Sequence, residues 1–160
     1  WSLVDKLKRA VDLPLMIKGI QTAEDADLCV KHGVDVIYVS NHGGRQLDHG
    51  RGAIELLPEV VSAARGKAQF VIDGGFVRGT DIMKGIAAGA AMVGVGKLLA
   101  LALGAAGERG VVRMLEILET ELTINMKLLG TNTCAELDGT YLQPATPVTT
   151  PSVLSALPLL

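Results

Sequence analysis

Aromatic side chains make up only 3% of this 160-residue chain, cysteine occurs twice, and neither sign of charge predominates. With 15 Lys plus Arg against 17 Asp plus Glu, the formal net charge of -2 lacks the basic excess that grips nucleic acid or an anionic membrane. Nucleic acid is therefore not an expected partner. Cys29 and Cys134 stand far apart, outside any CxxC or Cys/His cluster, so neither a disulfide framework nor a zinc site is indicated, and no metal is expected. A reducing, cytoplasmic setting fits best. No charged segment followed by an apolar core and cleavage site opens the chain, and its first residue is Trp1 rather than Met. It reads as a piece of something longer. From Gly139 to Leu160 there is no charged residue, and Pro144, Pro147, Pro151 and Pro158 interrupt any helix or strand. Residues 138–160 are expected to form an extended tail beside a folded unit over 1–137, with Val153, Leu154, Leu157, Leu159 and Leu160 lying on this subunit or a neighbour.

What is present is apolar residue and glycine. At 49% hydrophobic residues and 20% charged, with a mean hydropathy of +0.37, the chain has enough apolar surface to bury one sizeable core. Its 19 glycines fall in groups, at Gly43-Gly44, Gly50/Gly52, Gly74-Gly75 and Gly94/Gly96, where backbone turns tightly or approaches a ligand.

Four short runs rich in Val and Ile read as strands covered on both faces of a parallel sheet: Leu15 to Lys18, Val34 to Ser40, Ala68 to Asp73 and Ala91 to Gly96. Helical patterns alternate with them. Thr22 caps a helix whose apolar positions Ala23, Ala26, Cys29 and Val30 recur at the 3.6-residue period, and Gly33 stands where a C-terminal cap belongs. Further helices are expected from Ala53 to Arg65, Thr80 to Ala88 and Glu108 to Leu129; the last carries Val111, Met114, Leu115, Leu118, Leu122 and Met126 on a stripe expected to pack on the sheet. Ala88 to Gly107 is apolar apart from Lys97, but its glycines and that charge favour a buried strand leading into a helix over a membrane span.

Strand-helix alternation means an α/β fold with right-handed crossovers, either an open doubly wound sheet or a (β/α) barrel. Periodicity does not choose between them. Four βα units are half of the eight that close a barrel of typically about 250 residues.

Polar and glycine clusters fall at the C-terminal ends of these strands, where parallel α/β folds build their sites. Lys18-Gly19 ends the first, Ser40-Asn41-His42-Gly43-Gly44-Arg45-Gln46 the second, Asp73-Gly74-Gly75 the third and Gly94-Val95-Gly96-Lys97 the fourth. The last two loops of such a rim commonly hold a phosphate, because glycine lets backbone N–H groups face its oxygens, and Arg78 or Lys97 adds charge. A P-loop does not fit, since Ala91 and Leu98 stand where it needs Gly and Ser or Thr. His42 and Arg45 lie three residues apart on a glycine-flanked loop: an imidazole base beside a fork for a carboxylate. Lys18 could form a Schiff base, place charge against a cofactor or merely snorkel. His49 beside Asp48 lacks a third ligand and reads as a solvated loop.

The run from Ser40 to Asp48 closely resembles the active-site signature of the FMN-dependent 2-hydroxy acid oxidases and dehydrogenases, which act on acids such as glycolate, lactate and mandelate. Leu13-Pro14 through Lys18-Gly19-Ile20, Thr22-Ala23-Glu24-Asp25-Ala26, Asp73-Gly74-Gly75, Arg78-Gly79-Thr80-Asp81 and Ala88-Gly89-Ala90 follow in that family's order and spacing, so the resemblance covers roughly Trp1 to Leu137. It implies a TIM (β/α)8 barrel of which this chain supplies about the last four βα units. It also implies FMN as cofactor, an L-2-hydroxy acid as substrate, and oxidation to the 2-keto acid. Lys18 is then similar to the residue at the flavin N1/O2 edge, and Ser40 to a further flavin contact. His42 resembles the base at the substrate hydroxyl or α-carbon, and Arg45 the carboxylate ligand. Asp73, Gly74, Gly75, Gly96 and Lys97, with Arg78, match the stretch around the ribityl phosphate.

The implied partners are the N-terminal half of the same barrel and further copies, in a tetramer or larger homo-oligomer. The resemblance has departures: Val77 and Lys97 stand where the family usually carries phosphate-binding arginines, and the first half of the barrel, with its substrate-contacting tyrosines and the aspartate that orients the histidine, is absent. Rival readings are another FMN barrel such as a type 2 isopentenyl diphosphate isomerase or a dihydroorotate dehydrogenase, and a non-catalytic barrel-half assembly subunit.

Overall fold

The computed structural model describes residues 1–47 and 49–145. Its spine is a four-stranded sheet, β1 (Met16–Ile20), β2 (Val36–Val39), β3 (Gln69–Asp73) and β4 (Met92–Gly94), in the spatial order 1-2-3-4 with every neighbouring pair parallel. That order is the one a barrel wall requires. A doubly wound sheet reverses direction at a switch point, whereas this sheet steps one way throughout, as a barrel wall does.

The crossovers are α2 (Ala23–Lys31), α3 (Ala53–Ala64) and α4 (Gly79–Ala87), and α5 (Gly96–Leu129) follows β4. The Thr22 side chain accepts the Asp25 N–H at 3.1 Å, capping α2 as expected, and Gly33 turns away after its end with φ 71°. Alternation along the strands sends Ile37, Val39, Phe70 and Ile72 toward the helices, where they join Leu56, Leu57 and Val60 of α3 in the core. The opposite face carries the row Lys18, Tyr38, Val71 and Met92, paired strand to strand. At its ends the sheet is open: Met16 on β1 and Met92 on β4 are 48% and 63% exposed.

Several expectations are corrected. A further helix, α1 (Ser2–Ala10), precedes β1; its apolar positions Leu3, Val4 and Leu7 recur at helical spacing, though none of its residues is fully buried. Tertiary contacts hold it, Lys8 reaching Asp35 at 2.8 Å and Trp1 stacking on His32 at 5.2 Å. The fourth strand is shorter than expected, and α5 begins at Gly96 rather than Glu108, its two parts meeting at the non-helical Ala106 and Gly107. Its apolar stripe packs chiefly on α4 instead of on the sheet; Met114 and Leu118 are buried, while Leu115 is 53% exposed. No helix among the described residues is long and apolar enough to cross a membrane. Within the tail, Gly139–Tyr141 makes a 3-10 turn, and the Pro- and Leu-rich end from 146 lies outside the described residues.

The joint between α4 and α5 is tight. A Cβ on Gly79 would overlap the backbone N of Leu122, and the Glu121 carboxylate accepts the Gly79 N–H and the Arg78 Nε–H, each at 2.8 Å.

Candidate active site

All four strands end at one cavity of about 760 Å³, within the range of small-molecule sites. Lys18, His42, Arg45, Asp73, Gly74, Gly75, Gly96 and Lys97 line it together. Ser40 lies beneath this lining, fully buried. Arg78 does not line the cavity; at the start of α4 its guanidinium pairs with Glu121 of α5 at 2.8 Å. Asp48 lies outside the described residues, and no metal-binding cluster occurs among the described ones.

A polar network fixes the floor. Lys18 Nζ donates to Ser40 Oγ at 2.7 Å and pairs with Asp73 Oδ2 at 3.0 Å, while Ser40 donates to Asp73 Oδ1 at 2.5 Å. Ser40 Oγ also accepts the His42 N–H at 3.0 Å, so one hydroxyl links the first three loops. Both carboxylate oxygens of Asp73 are therefore engaged. Tyr38, two residues before Ser40, was missed by the sequence reading. Its ring lies 4.8 Å below Lys18 Nζ, and burial, then the charge of Asp73 and the hydrogen bond to it, push the phenol up to about 12. A polar tyrosine within a Val and Ile run, in phase with Ser40, was the available signal.

The second loop carries local strain. His42 has φ 55°, in the left-handed region that few non-glycine residues adopt, and Gly43 and Gly44 follow at 69° and 71°. Two bonds hold this course: the His42 N–H on Ser40 and the Gly43 N–H on Asn41 Oδ1 at 3.0 Å. His42 and Arg45 are thereby both presented to the cavity. From the opposite rim, Lys97 Nζ donates to the Gly43 carbonyl at 3.2 Å.

The third and fourth loops form a bare backbone rim. Gly75, at φ 86°, and Gly96 have nothing within 4 Å of where a Cβ would stand. Gly96 also opens α5, so the free N–H groups of its first turn and the positive end of its dipole lie at the rim. A phosphate could approach this cradle, with Lys97 its nearest lining cation. The wall beyond is apolar, with Phe76, Val77, Leu98 and Leu101. The residues present thus fit an elongated ligand with an anionic end at the glycine rim and a polar, hydrogen-bonding body over Lys18.

A family model described as FMN-dependent dehydrogenase matches residues 1–144. The chain is 43% identical over 143 residues to 2-hydroxyacid oxidase 1 of Mus musculus, covering 89% of this chain and 39% of that protein. It is likewise 43% identical over 158 residues to glycolate oxidase 1 of Zea mays, covering 99% of this chain and 42% of the relative. Among solved structures, a mandelate oxidase with a bound hydroxy-acid derivative superposes with TM-score 0.81 at 42% identity, over 84% of this chain and 41% of that one. A flavocytochrome b2 with sulfite bound gives 0.85 at 36%, over 94% and 42%. The chain spans about two-fifths of the length of the curated relatives it matches.

Proposed function

This chain belongs to the FMN-dependent dehydrogenase family and carries part of its (β/α)8 barrel, and from that premise we propose that it serves the oxidation of an L-2-hydroxy acid to the 2-keto acid. The observation that supports the reading best is the convergence of Lys18, His42, Arg45 and a glycine rim on one cavity.

FMN, when bound, supplies the two-electron acceptor that the protein side chains lack. Gly74, Gly75 and Gly96, with the first turn of α5 and Lys97, would hold its phosphate, and Asp73 and Ser40 would hold its polar body. Lys18 would lend its positive charge to the cofactor's polar body from the cavity floor. Arg45 grips the substrate carboxylate through a planar fork, which fixes the α-carbon relative to the histidine. His42 takes the proton from the substrate hydroxyl or α-carbon, and its strained backbone holds the imidazole ready for that transfer. Arg78 pairs with Glu121 outside the cavity lining and is given no role in this reading.

The N-terminal half of the barrel is the first partner this reading requires, since the edges of β1 and β4 are open in the described residues. Further copies in a tetramer or larger assembly would cover exposed apolar residues of α5 such as Ile117 and Ile124. A cytoplasmic location is proposed too, in keeping with two free cysteines.

The test is spectroscopic: the protein together with its barrel complement should carry flavin absorbance that bleaches anaerobically with glycolate, lactate or mandelate. In His42→Ala the spectrum should persist while bleaching slows by about 10² or more, the usual weight of a positioned base. Absence of flavin, or bleaching at the normal rate in the variant, contradicts the assignment.

A further inference from the structure

We propose that Tyr38 is a positioning residue that sets the charge Lys18 presents to the cofactor, acting through its hydroxyl on Asp73. The proposal rests on the flavin reading above and deepens it.

Tyr38 and Lys18 are register partners on β2 and β1, on the face of the sheet away from the helices. The phenol tip reaches across to the third and fourth strands. A Cβ on Gly94 would collide with Tyr38 Oη and stand 3.2 Å from Asp73 Cβ, so the hydroxyl occupies the space between these two strand ends. Gly94 is the residue that leaves room for it.

Asp73 receives the Lys18 ammonium at 3.0 Å and the Ser40 hydroxyl at 2.5 Å, and the Tyr38 phenol stands beside it across the space that Gly94 leaves open. The ammonium is the only one that brings charge. A neutral donor offsets part of the carboxylate's field without adding charge of its own. With the phenol in place, Lys18 has less of Asp73 to neutralise and presents more of its charge to the cavity. Without it, the Lys18–Asp73 pair tightens and the cavity becomes less positive. The phenol stays protonated throughout the working range, because burial and Asp73 raise it to about 12. Tyr38→Phe keeps the ring under Lys18 and removes the hydroxyl alone.

Sulfite reads this charge without turnover, since it adds as an anion to the oxidised flavin and binds more tightly as positive charge beside the ring increases. In the FMN-loaded holoprotein, Y38F should raise the sulfite Kd about three- to tenfold, the weight of one neutral hydrogen bond, with flavin content and melting temperature retained. G94A, whose Cβ drives the phenol aside, should raise it by a similar factor. Together the two changes should do no more than either alone, because both remove the same contact. An unchanged Kd in Y38F, or two effects that multiply, overturns the proposal while leaving the flavin reading intact. Wild-type protein that folds with its barrel complement yet takes up no FMN overturns both.

Discussion

The imidazole of His42 lies against the backbone of Gly19: a Cβ there would stand 2.9 Å from Cε1, and Gly19 itself holds φ 100° at the bulge where β1 and β2 shift register. Gly19→Ala therefore acts twice. It costs about 1–2 kcal/mol through the disfavoured backbone, and it pushes the imidazole from its place. The expected outcome is a modest drop in melting temperature with at least a tenfold slower anaerobic flavin reduction, the scale on which small misplacements of reacting groups are felt. Stopped-flow reduction at the wild-type rate would show that His42 acts from another rotamer.

Arg45 and His42 stand on one loop but should fail differently. Arg45→Lys keeps the charge and loses the planar fork, so kcat/KM for a 2-hydroxy acid should fall further than flavin content does. Equal kcat/KM in the variant assigns the carboxylate to another residue.

The glycine rim has an apolar neighbour in Val77. Arg78 pairs with Glu121 outside the lining, so Val77→Arg would add a guanidinium beside Gly74 and Gly75 where the cavity wall is apolar. FMN binding should tighten by up to roughly 1.5–3 kcal/mol if the new fork reaches the phosphate. Fluorimetric titration of the apoprotein decides it: an unchanged or weaker Kd locates the phosphate elsewhere along the rim.

Glu121 ties α5 to the start of α4, and its carboxyl lies below its ordinary value, first through the Arg78 hydrogen bond and then through the Gly79 N–H. The Arg78 partner is 66% exposed, so the ion pair adds little, and the bond to the helix N-terminus carries most of the effect. A carboxyl depressed by folding contributes stability that is fully present above its ordinary 4.5 and is lost as pH falls through the lower folded value. Glu121→Gln should therefore cost about 1–2 kcal/mol at neutral pH and progressively less below about pH 4. Melting curves at both pH values check this; an equal gap at both means that the charge of Glu121 contributes nothing.

Where the sequence was legible, local chemistry and tertiary structure agreed. Thr22 and Gly33 bounded α2 because capping depends on a few neighbouring residues, and the loop from Ser40 to Gln46 could be placed because it follows an unmistakable buried strand. The barrel sense was not legible, since helix and strand periods carry no information on the direction in which successive strands add. Helix α1 does carry an apolar stripe, Leu3, Val4 and Leu7, but it is short and interleaved with charge; Val4 packs against the core and Lys8 reaches Asp35. The placement of Arg78 was not legible either. It neighbours Gly75 in sequence, but its guanidinium is taken by Glu121, 43 residues away. Tyr38 lies within the buried run from Val34 to Ser40, and only the space at Gly94 shows where its phenol goes.

The open edges of the sheet set the last prediction. β1 and β4 each expose an unpaired edge, and Met16, Met92 and Leu13 (66% exposed) lie near those edges. Parallel strands are normally covered on both sides, so these edges favour pairing with another chain. Residues 1–160 expressed alone should dimerise or aggregate, bind FMN weakly and fail to oxidise glycolate, lactate or mandelate. Co-expression with the N-terminal half of a family barrel should give a soluble, yellow, active complex, because the second half pairs both edges and completes the wall around the cavity. Size-exclusion chromatography with an absorbance scan across the flavin bands reads both properties together. A monomeric, yellow, active species of 16.7 kDa would mean that four βα units close the site without a complement.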